Sequence, residues 1–206
     1  ASEDFLRDQN AYLESEVLRR TAELQAIQDV TIMALASLSE TRDSDTGGHI
    51  LRTQNYVKIL AENLSGHPAF AAFLTPANIQ LLYKSAPLHD IGKVGIPDRI
   101  LLKPERLDAD EFEIMKAHTT LGREAIEHAE QRLGASVPFL RIAKEIAYSH
   151  QEKWDGSGYP QGLQGEEIPI SARLMALADV YDALISRRAY KAPMSHEAVK
   201  AYILAH

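Results

Sequence analysis

The chain has 206 residues and a net charge of −7, with 45% hydrophobic and 25% charged residues, as in a globular protein with a sizeable core. The negative balance argues against binding a nucleic-acid polymer, and no apolar run reaches the roughly 18 residues of a membrane span, so we expect no membrane partner. Cysteine is absent, which excludes disulfides and thiolate ligands, favours the cytoplasm and leaves His, Asp and Glu to bind any metal.

The first forty residues predict one long helix, since residues 3 to about 40 contain no Pro and no Gly. Core positions recur at alternating steps of three and four, a heptad pattern in which seven of ten positions are apolar and Asn10, Arg20 and Thr31 are polar. An amphipathic helix lying on its own domain would explain the pattern. We favour a parallel dimerising helix that carries a signal, because a 206-residue chain has too little protein to cover so long a helix. The apolar positions are Leu6, Leu13, Val17, Leu24, Ile27, Ala34 and Leu38.

The remaining residues, 41–206, predict an all-α domain, because helical patterns alternate with short breaks and no strand alternation persists. Helix starts are indicated by Thr75 before a proline, by Asp108 with Glu111 three residues later, and by Ser195. The expected helices are 49–65, 76–90, 109–132, 138–151, 170–186 and 195–205.

Four of the eight histidines, each near the end of a different predicted helix, have a metal-competent or catalytic type of neighbour. They are His49, His89, His118 and His150. A single histidine is more often a structural residue, so only the set of four indicates a site.

The strongest local pattern is "LHDIGKVGIPD" at 88–98. If His89 and Asp90 lie on one helix, they point about 100° apart and suit two metal ligands, with a carboxylate able to bridge two ions. Gly92 would end the helix and Lys93 would follow about one turn later. Because a buried, unpaired Asp is costly, Asp90 needs a cation or hydrogen-bond donors. A buried hydrogen bond between the two side chains is the alternative.

A second acidic pattern lies in "MALADVYDALISRRAYK" at 175–191. Asp179 and Asp182 are spaced i, i+3 on a largely apolar helix. Asp179 lies in the middle of the apolar run, where a carboxylate needs a cation as its partner. The basic residues that follow, Arg188 and Lys191 among them, suit either a phosphate clamp or a solvated helix end.

These residues resemble the HD-GYP domains, a bacterial subgroup of the HD phosphohydrolases. The resemblance runs from about residue 40 to the end of the chain. It rests on five ordered blocks: "TRDSDTGGHILR", "LHDIGKVGIPD", "MKAHTTLG", "HQEKWDGSGYPQGLQGEEIP" and "ADVYDAL". It implies an HD-domain helical bundle after the N-terminal helix. It also implies hydrolysis of cyclic di-GMP to the linear dinucleotide pGpG and often to GMP.

The resemblance also implies roles for single residues. Two transition-metal ions (Fe, Mn, Ni, Co or Zn) would be bound, with Asp90 bridging them, and Lys93 would contact the scissile phosphate. Arg188 and Lys191 match the family's basic segment, and the loop Gly158, Tyr159 and Pro160 would shape the substrate pocket. Trp154 or Tyr159 could stack on a guanine or simply anchor the loop. The implied ligands are His49, His89, Asp90, His118, His150 and Asp179.

Two positions depart from the family pattern. Many members have a second histidine where this chain has Gln151, and some have a glutamate of a third metal site where it has Asp45. We therefore expect a binuclear centre, with Asp45 as the position a third metal would use.

The N-terminal helix resembles the connector that follows a receiver domain in response regulators, so we expect an upstream receiver domain and a homodimer. Gln151 leaves open a catalytically slow metal- and nucleotide-binding module that acts through partner contact. An HD phosphohydrolase of another cyclic dinucleotide or of a nucleoside polyphosphate also stays open.

Overall fold

The computed structural model describes residues 2–40, 48–186 and 193–205. Within these ranges the regular structure is helical, which confirms the expected all-α fold and the long N-terminal helix. The helices are α1 (Ser2–Glu40), α2 (His49–Leu64), α3 (Pro76–Ser85), α4 (Asp98–Leu101), α5 (Ala109–Leu133), α6 (Pro138–Ser149), α7 (Ile170–Ile185) and α8 (His196–Ala205).

The chain divides into two compact units, Ala1–Ala34 and Leu35–His206. The first unit consists of most of α1, and many of its apolar side chains are exposed, for example Leu13 and Leu24, while Ile32 near its end is buried. None of the helices in the described ranges is long and apolar enough to cross a membrane.

The helix starts expected from the sequence are formed by the predicted caps. The Thr75 hydroxyl accepts a hydrogen bond from the Asn78 amide (3.2 Å) at the start of α3. Asp108 and Glu111 form a reciprocal capping box at the start of α5, with both bonds at 2.9 Å. Gly134, at φ 68°, ends α5 in the left-handed conformation that glycine adopts without strain.

The predicted helix 76–90 is wrong in its last five residues, because α3 ends at Ser85. Pro87 has no amide hydrogen to continue the helix, and the Tyr83 carbonyl that residue 87 would use accepts from the Gln54 side chain instead (2.9 Å). The chain continues as the 3₁₀ segments Ala86–Leu88 and Ile91–Gly95. His89 and Asp90 therefore lie in a turn between these segments and not on one helix, and Gly92 does not end a helix.

The main core lies between α2, α3, α6 and α7, and fully buried residues such as Val57, Leu82, Ile146 and Met175 fill it. A smaller cluster around Ile96 and Ile100 packs against α5. The segment Ile91–Gly95 lies so close to α5 that a Cβ at Gly92 would stand 1.9 Å from the His118 carbonyl oxygen. This close approach brings the turn with His89 and Asp90 beside α5.

Candidate metal centre

The four histidines of the predicted set are all buried, with 1–4% of their surface exposed. His49 is the first residue of α2, His89 follows the segment Ala86–Leu88, and His150 is the C-cap of α6. His118 lies in the interior of α5, so the expectation that it would lie near a helix end is wrong. Four separate elements thus bring one imidazole each to the same region.

Each of the four rings is held by a hydrogen bond from its Nδ1 atom. Because the acceptor is a carbonyl or carboxylate oxygen, Nδ1 carries the donated proton, and Nε2 is the atom left to offer a lone pair to a metal. This is the tautomer and orientation that a metal ligand requires. The acceptors are Asp182 Oδ2 for His49 (2.8 Å), Ala86 O for His89 (3.0 Å), Met115 O for His118 (2.7 Å) and Ile146 O for His150 (3.0 Å).

The Nε2 atoms converge in two pairs. His49 Nε2 lies 3.4 Å from His89 Nε2, and His118 Nε2 lies 3.5 Å from His150 Nε2. Each pair is joined by a carboxylate to make a group whose ligand-type atoms all lie within 4.8 Å of one another. The groups are His49, His89 and Asp179, and Asp90, His118 and His150.

The Asp90 carboxylate stands between the two groups. Its Oδ1 is 3.4 Å from His118 Nε2 and 3.6 Å from His150 Nε2, and its Oδ2 is 3.3 Å from His89 Nε2 and 2.7 Å from Lys93 Nζ. Oδ1 is buried and has no hydrogen-bond partner within the ranges that the structure describes. A buried carboxylate oxygen without a donor is costly, and imidazole and carboxylate donors suit a borderline divalent cation. The residues therefore fit a metal.

The acid–base properties of this cluster respond to burial and to close charges. Burial would raise the pKa of Asp90, but the positive charges of Lys93 and His89 outweigh it and hold the pKa well below its usual range. Burial works the other way on histidine and lowers the pKa of His118 to about 4. For His89 burial is outweighed by the Asp90 carboxylate, which raises the pKa to about 9. A metal ion bound here would take the place of the His89 proton.

Sequence reasoning missed the residues that orient His49. Asp182 is 1% exposed and receives, besides the His49 bond, two bonds from Arg52: Nε to Oδ1 at 2.7 Å and Nη2 to Oδ2 at 3.0 Å. The i, i+3 spacing of Asp179 and Asp182 is visible in the sequence, but the spacing alone indicates no separate role for Asp182. Asp179 lies in a ligand group, and Asp182 accepts the hydrogen bond that orients the ligand candidate His49.

The glycine-rich loop is tightened by a residue that the sequence did not single out. Glu152 is 4% exposed, and its carboxylate accepts from the amides of Gln161 (2.8 Å) and Leu163 (3.0 Å). A Cβ at Gly158 would come within 2.3 Å of the Lys153 amide nitrogen. The loop thus needs Gly158 because it folds back on its own backbone.

The two aromatic residues of this loop have different surroundings. The Tyr159 ring, followed by the cis peptide to Pro160, is 6.2 Å from the His118 ring, and burial raises the Tyr159 pKa to about 12. Trp154 is 60% exposed, and its ring lies 5.8 Å from the Arg173 guanidinium. Tyr159 is therefore the one whose ring contacts a ligand group.

Three predicted positions, Asp45, Arg188 and Lys191, lie outside the described residues. Gln151 follows His150 in the chain, and the backbone carbonyl oxygen of Gln151 accepts a hydrogen bond from the Tyr159 backbone amide (3.2 Å).

Comparisons with known proteins agree with this geometry. The sequence profile of the HD domain matches residues 45–204. A "Probable cyclic di-GMP phosphodiesterase" of Vibrio cholerae is 61% identical over 98% of this chain and 46% of its own length. A "Cyclic di-GMP phosphodiesterase" of the same organism is 60% identical over 88% of this chain and 37% of its own. The response regulator RpfG of Xanthomonas campestris, also named a cyclic di-GMP phosphodiesterase, is 38% identical over 94% and 47%.

The chain spans about half, or less, of the length of these relatives. The profile match and the identities cover most of the chain itself, including all four buried histidines and both acidic ligand candidates. The family expected from the five sequence blocks is thereby confirmed. This chain belongs to the HD domain family.

Proposed function

We propose that the chain hydrolyses a phosphodiester bond of cyclic di-GMP at a centre of two transition-metal ions, giving linear pGpG. The observation that carries the proposal is the convergence of four oriented imidazoles on Asp90 and Asp179, whose ligand-type atoms form two adjacent groups. One carboxylate between two such groups, with a buried oxygen, suits a binuclear hydrolytic centre. A further cleavage to GMP is part of the proposal.

The names of the relatives support cyclic di-GMP over other substrates. The two Vibrio cholerae proteins at 61% and 60% identity are both named for cyclic di-GMP. A third protein of that organism, at 40% identity, is named a 3'3'-cGAMP-specific phosphodiesterase. The higher identities favour cyclic di-GMP, and 3'3'-cGAMP is the competing substrate that an assay must include.

The residues of the chain have distinct tasks in this proposal. Bound ions would acidify a water molecule and neutralise charge on the phosphate. The imidazoles of His49, His89, His118 and His150 are held with Nε2 toward the centre because each Nδ1 donates its proton to a protein oxygen. Lys93, 2.7 Å from Asp90, adds a positive group that can contact the phosphate. Tyr159 closes one side of the centre and stays protonated at neutral pH.

Several finer assignments belong to the proposal. Arg188 and Lys191 contact the phosphates, the loop Gly158, Tyr159 and Pro160 shapes the pocket, and Asp45 is where a third ion would bind. The domain starts near residue 41, and the helix before it dimerises through its exposed apolar positions and connects to a receiver domain. The site of action is the cytoplasm.

The test is to incubate the full chain with cyclic di-GMP and Mn²⁺ or Fe²⁺ and to separate the products by chromatography over time. We expect pGpG to accumulate, and to form faster than any product from 3'3'-cGAMP or a nucleoside polyphosphate. Binding of cyclic di-GMP without product would instead support the slow signalling module. Gln151→His is the companion variant: a sharp rise in rate would mean that a missing imidazole limits the wild-type chain.

A further inference from the structure

The last two residues of α1 each make one hydrogen bond to an element that carries metal-type ligands. The first is Ser39, which is 4% exposed. Its hydroxyl donates to the backbone carbonyl of Asp90 (3.0 Å), 51 positions later in the chain. The same carbonyl accepts from the Lys93 backbone amide (3.0 Å). Ser39 and Lys93 together thus hold the backbone of Asp90, whose side chain stands between the two ligand groups.

The second is Glu40, whose carboxylate accepts from the backbone amide of Ile50 (3.1 Å). Ile50 is the second residue of α2, and the N-cap of that helix is Gly48, which has no side chain to offer. The first amides of a helix have no partner within the helix, so a carboxylate from elsewhere is a favourable cap. Glu40 therefore caps α2 directly beside His49.

The two bonds divide between the two ligand groups. Ser39 holds the backbone of Asp90, which belongs with His118 and His150, and Glu40 holds the first turn of α2, which begins with His49. Ser39 and Glu40 also line a small cavity with His49, His89, Asp90 and Lys93. The end of α1 is thus attached on both sides of the candidate centre.

We infer that Ser39 and Glu40 are positioning residues for the metal centre, Ser39 through Asp90, which stands between both ligand groups, and Glu40 through His49, which belongs to one of them. The inference rests on the proposed function, since it concerns the two ions. Helix α1 is continuous from Ser2 to Glu40. A displacement of its last turn would shift Asp90 and His49 together. A signal transmitted along α1 would therefore change the affinity of the centre for metal.

The experiment is a Mn²⁺ titration of the full metal-free chain by calorimetry, with thermal unfolding in chelator as the measure of fold. For wild type we expect two binding steps. Ser39→Ala should weaken both steps about 10-fold and Glu40→Ala only one of them, because loss of the hydrogen-bond partner that holds a metal ligand costs 10–100-fold in metal affinity. Glu40→Gln should bind like wild type, since its amide oxygen can still accept from Ile50. The matched control is Ser37→Ala on the exposed side of the same turn.

A purely structural role would lower the unfolding temperature in chelator without weakening Mn²⁺ binding. If wild type binds two ions and Ser39→Ala and Glu40→Ala bind them equally well, the inference is overturned while the proposed function stands. If Glu40→Ala weakens both steps equally and Glu40→Gln does the same, the positioning role of Glu40 is overturned. If wild type binds no Mn²⁺, the proposed function and this inference are both overturned.

Discussion

The carboxylate of Asp182 accepts a hydrogen bond from the Nδ1 atom of His49 over 2.8 Å, and this bond decides which nitrogen of the ring faces the candidate centre. Helix α7 therefore contributes twice: Asp179 stands among the ligands and Asp182, one turn later, stands behind one of them. Arg52 on α2 completes the arrangement with two bonds to Asp182. The site thus depends on an ion pair between the buried Asp182 and the partly exposed Arg52, neither of which lies in a ligand group.

We expect Asp182→Asn to weaken Mn²⁺ binding by 10–100-fold, because a neutral amide fixes the His49 tautomer less firmly and leaves Arg52 without its charged partner. Isothermal titration of the metal-free chain measures the change. Asp110→Asn, on the exposed first turn of α5, is the matched control and should bind as wild type does. Unchanged Mn²⁺ affinity in Asp182→Asn would show that Asp182 does not orient a metal ligand.

The same residue predicts how stability changes in acid. Burial would raise the pKa of Asp182, but the hydrogen bonds and charges of His49 and Arg52 lower it from 3.8 to about 2. The folded chain therefore binds fewer protons than the unfolded chain between these values. The contribution of Asp182 to stability is fully present above pH 3.8 and is lost as the pH falls through about 2.

Urea unfolding of the metal-free chain between pH 2 and 5 measures this contribution, which is on the order of 2 kcal/mol. We expect the free energy of unfolding of wild type to fall more steeply toward low pH than that of Asp182→Asn. Parallel curves for the two chains would contradict the assigned ion pair.

Gly92 should be intolerant of any side chain. A Cβ there would lie 1.9 Å from the His118 carbonyl oxygen and 2.5 Å from the Gly122 amide nitrogen, both backbone atoms of α5 that cannot rotate away. We expect Gly92→Ala to reduce the free energy of unfolding by about 3 kcal/mol and to lose metal binding as the turn moves off α5. Denaturant titration tests this against Gly66→Ala, where a Cβ would meet nothing within 4 Å. Equal stability of the two variants would show that the segment Ile91–Gly95 leaves room for a side chain between Gly92 and α5.

Glu152 should control the loop and leave the metals in place. In Glu152→Ala the amides of Gln161 and Leu163 lose their buried acceptor, so the loop should become more accessible to proteases. We expect KM for cyclic di-GMP to rise several-fold with Mn²⁺ affinity unchanged. Glu166→Ala, an exposed acid on the same loop, serves as the control. A fall in Mn²⁺ affinity in place of a rise in KM would assign Glu152 to the centre itself.

Much of the fold could be predicted because local signals agree with the final structure. Thr75, the pair of Asp108 and Glu111, and the breaks between helices mark most elements to within two residues. The prediction failed at residues 86–90, where Pro87 lies inside an apolar stretch that otherwise suits a helix. The contact of Gln54 with the Tyr83 carbonyl, which replaces the lost helical bond, is tertiary and leaves no local trace.

The candidate ligands could be identified because His and Asp stand beside apolar residues at several separate points in the sequence. Their supporting contacts could not be. The bond from Ser39 to Asp90 spans 51 positions and the bond from Arg52 to Asp182 spans 130. Such contacts arise only when the bundle is assembled, and serine, arginine and aspartate in these positions look like ordinary helix residues in the sequence.

The most direct test of the central claim is the metal content of the full chain, purified without chelator and measured by elemental analysis beside Asp90→Ala. Because Asp90 joins the two ligand groups, we expect about two transition-metal ions per wild-type chain and almost none in Asp90→Ala, with far-UV circular dichroism equally helical in both. A metal content near zero in wild type, or full loading of Asp90→Ala, would contradict the account.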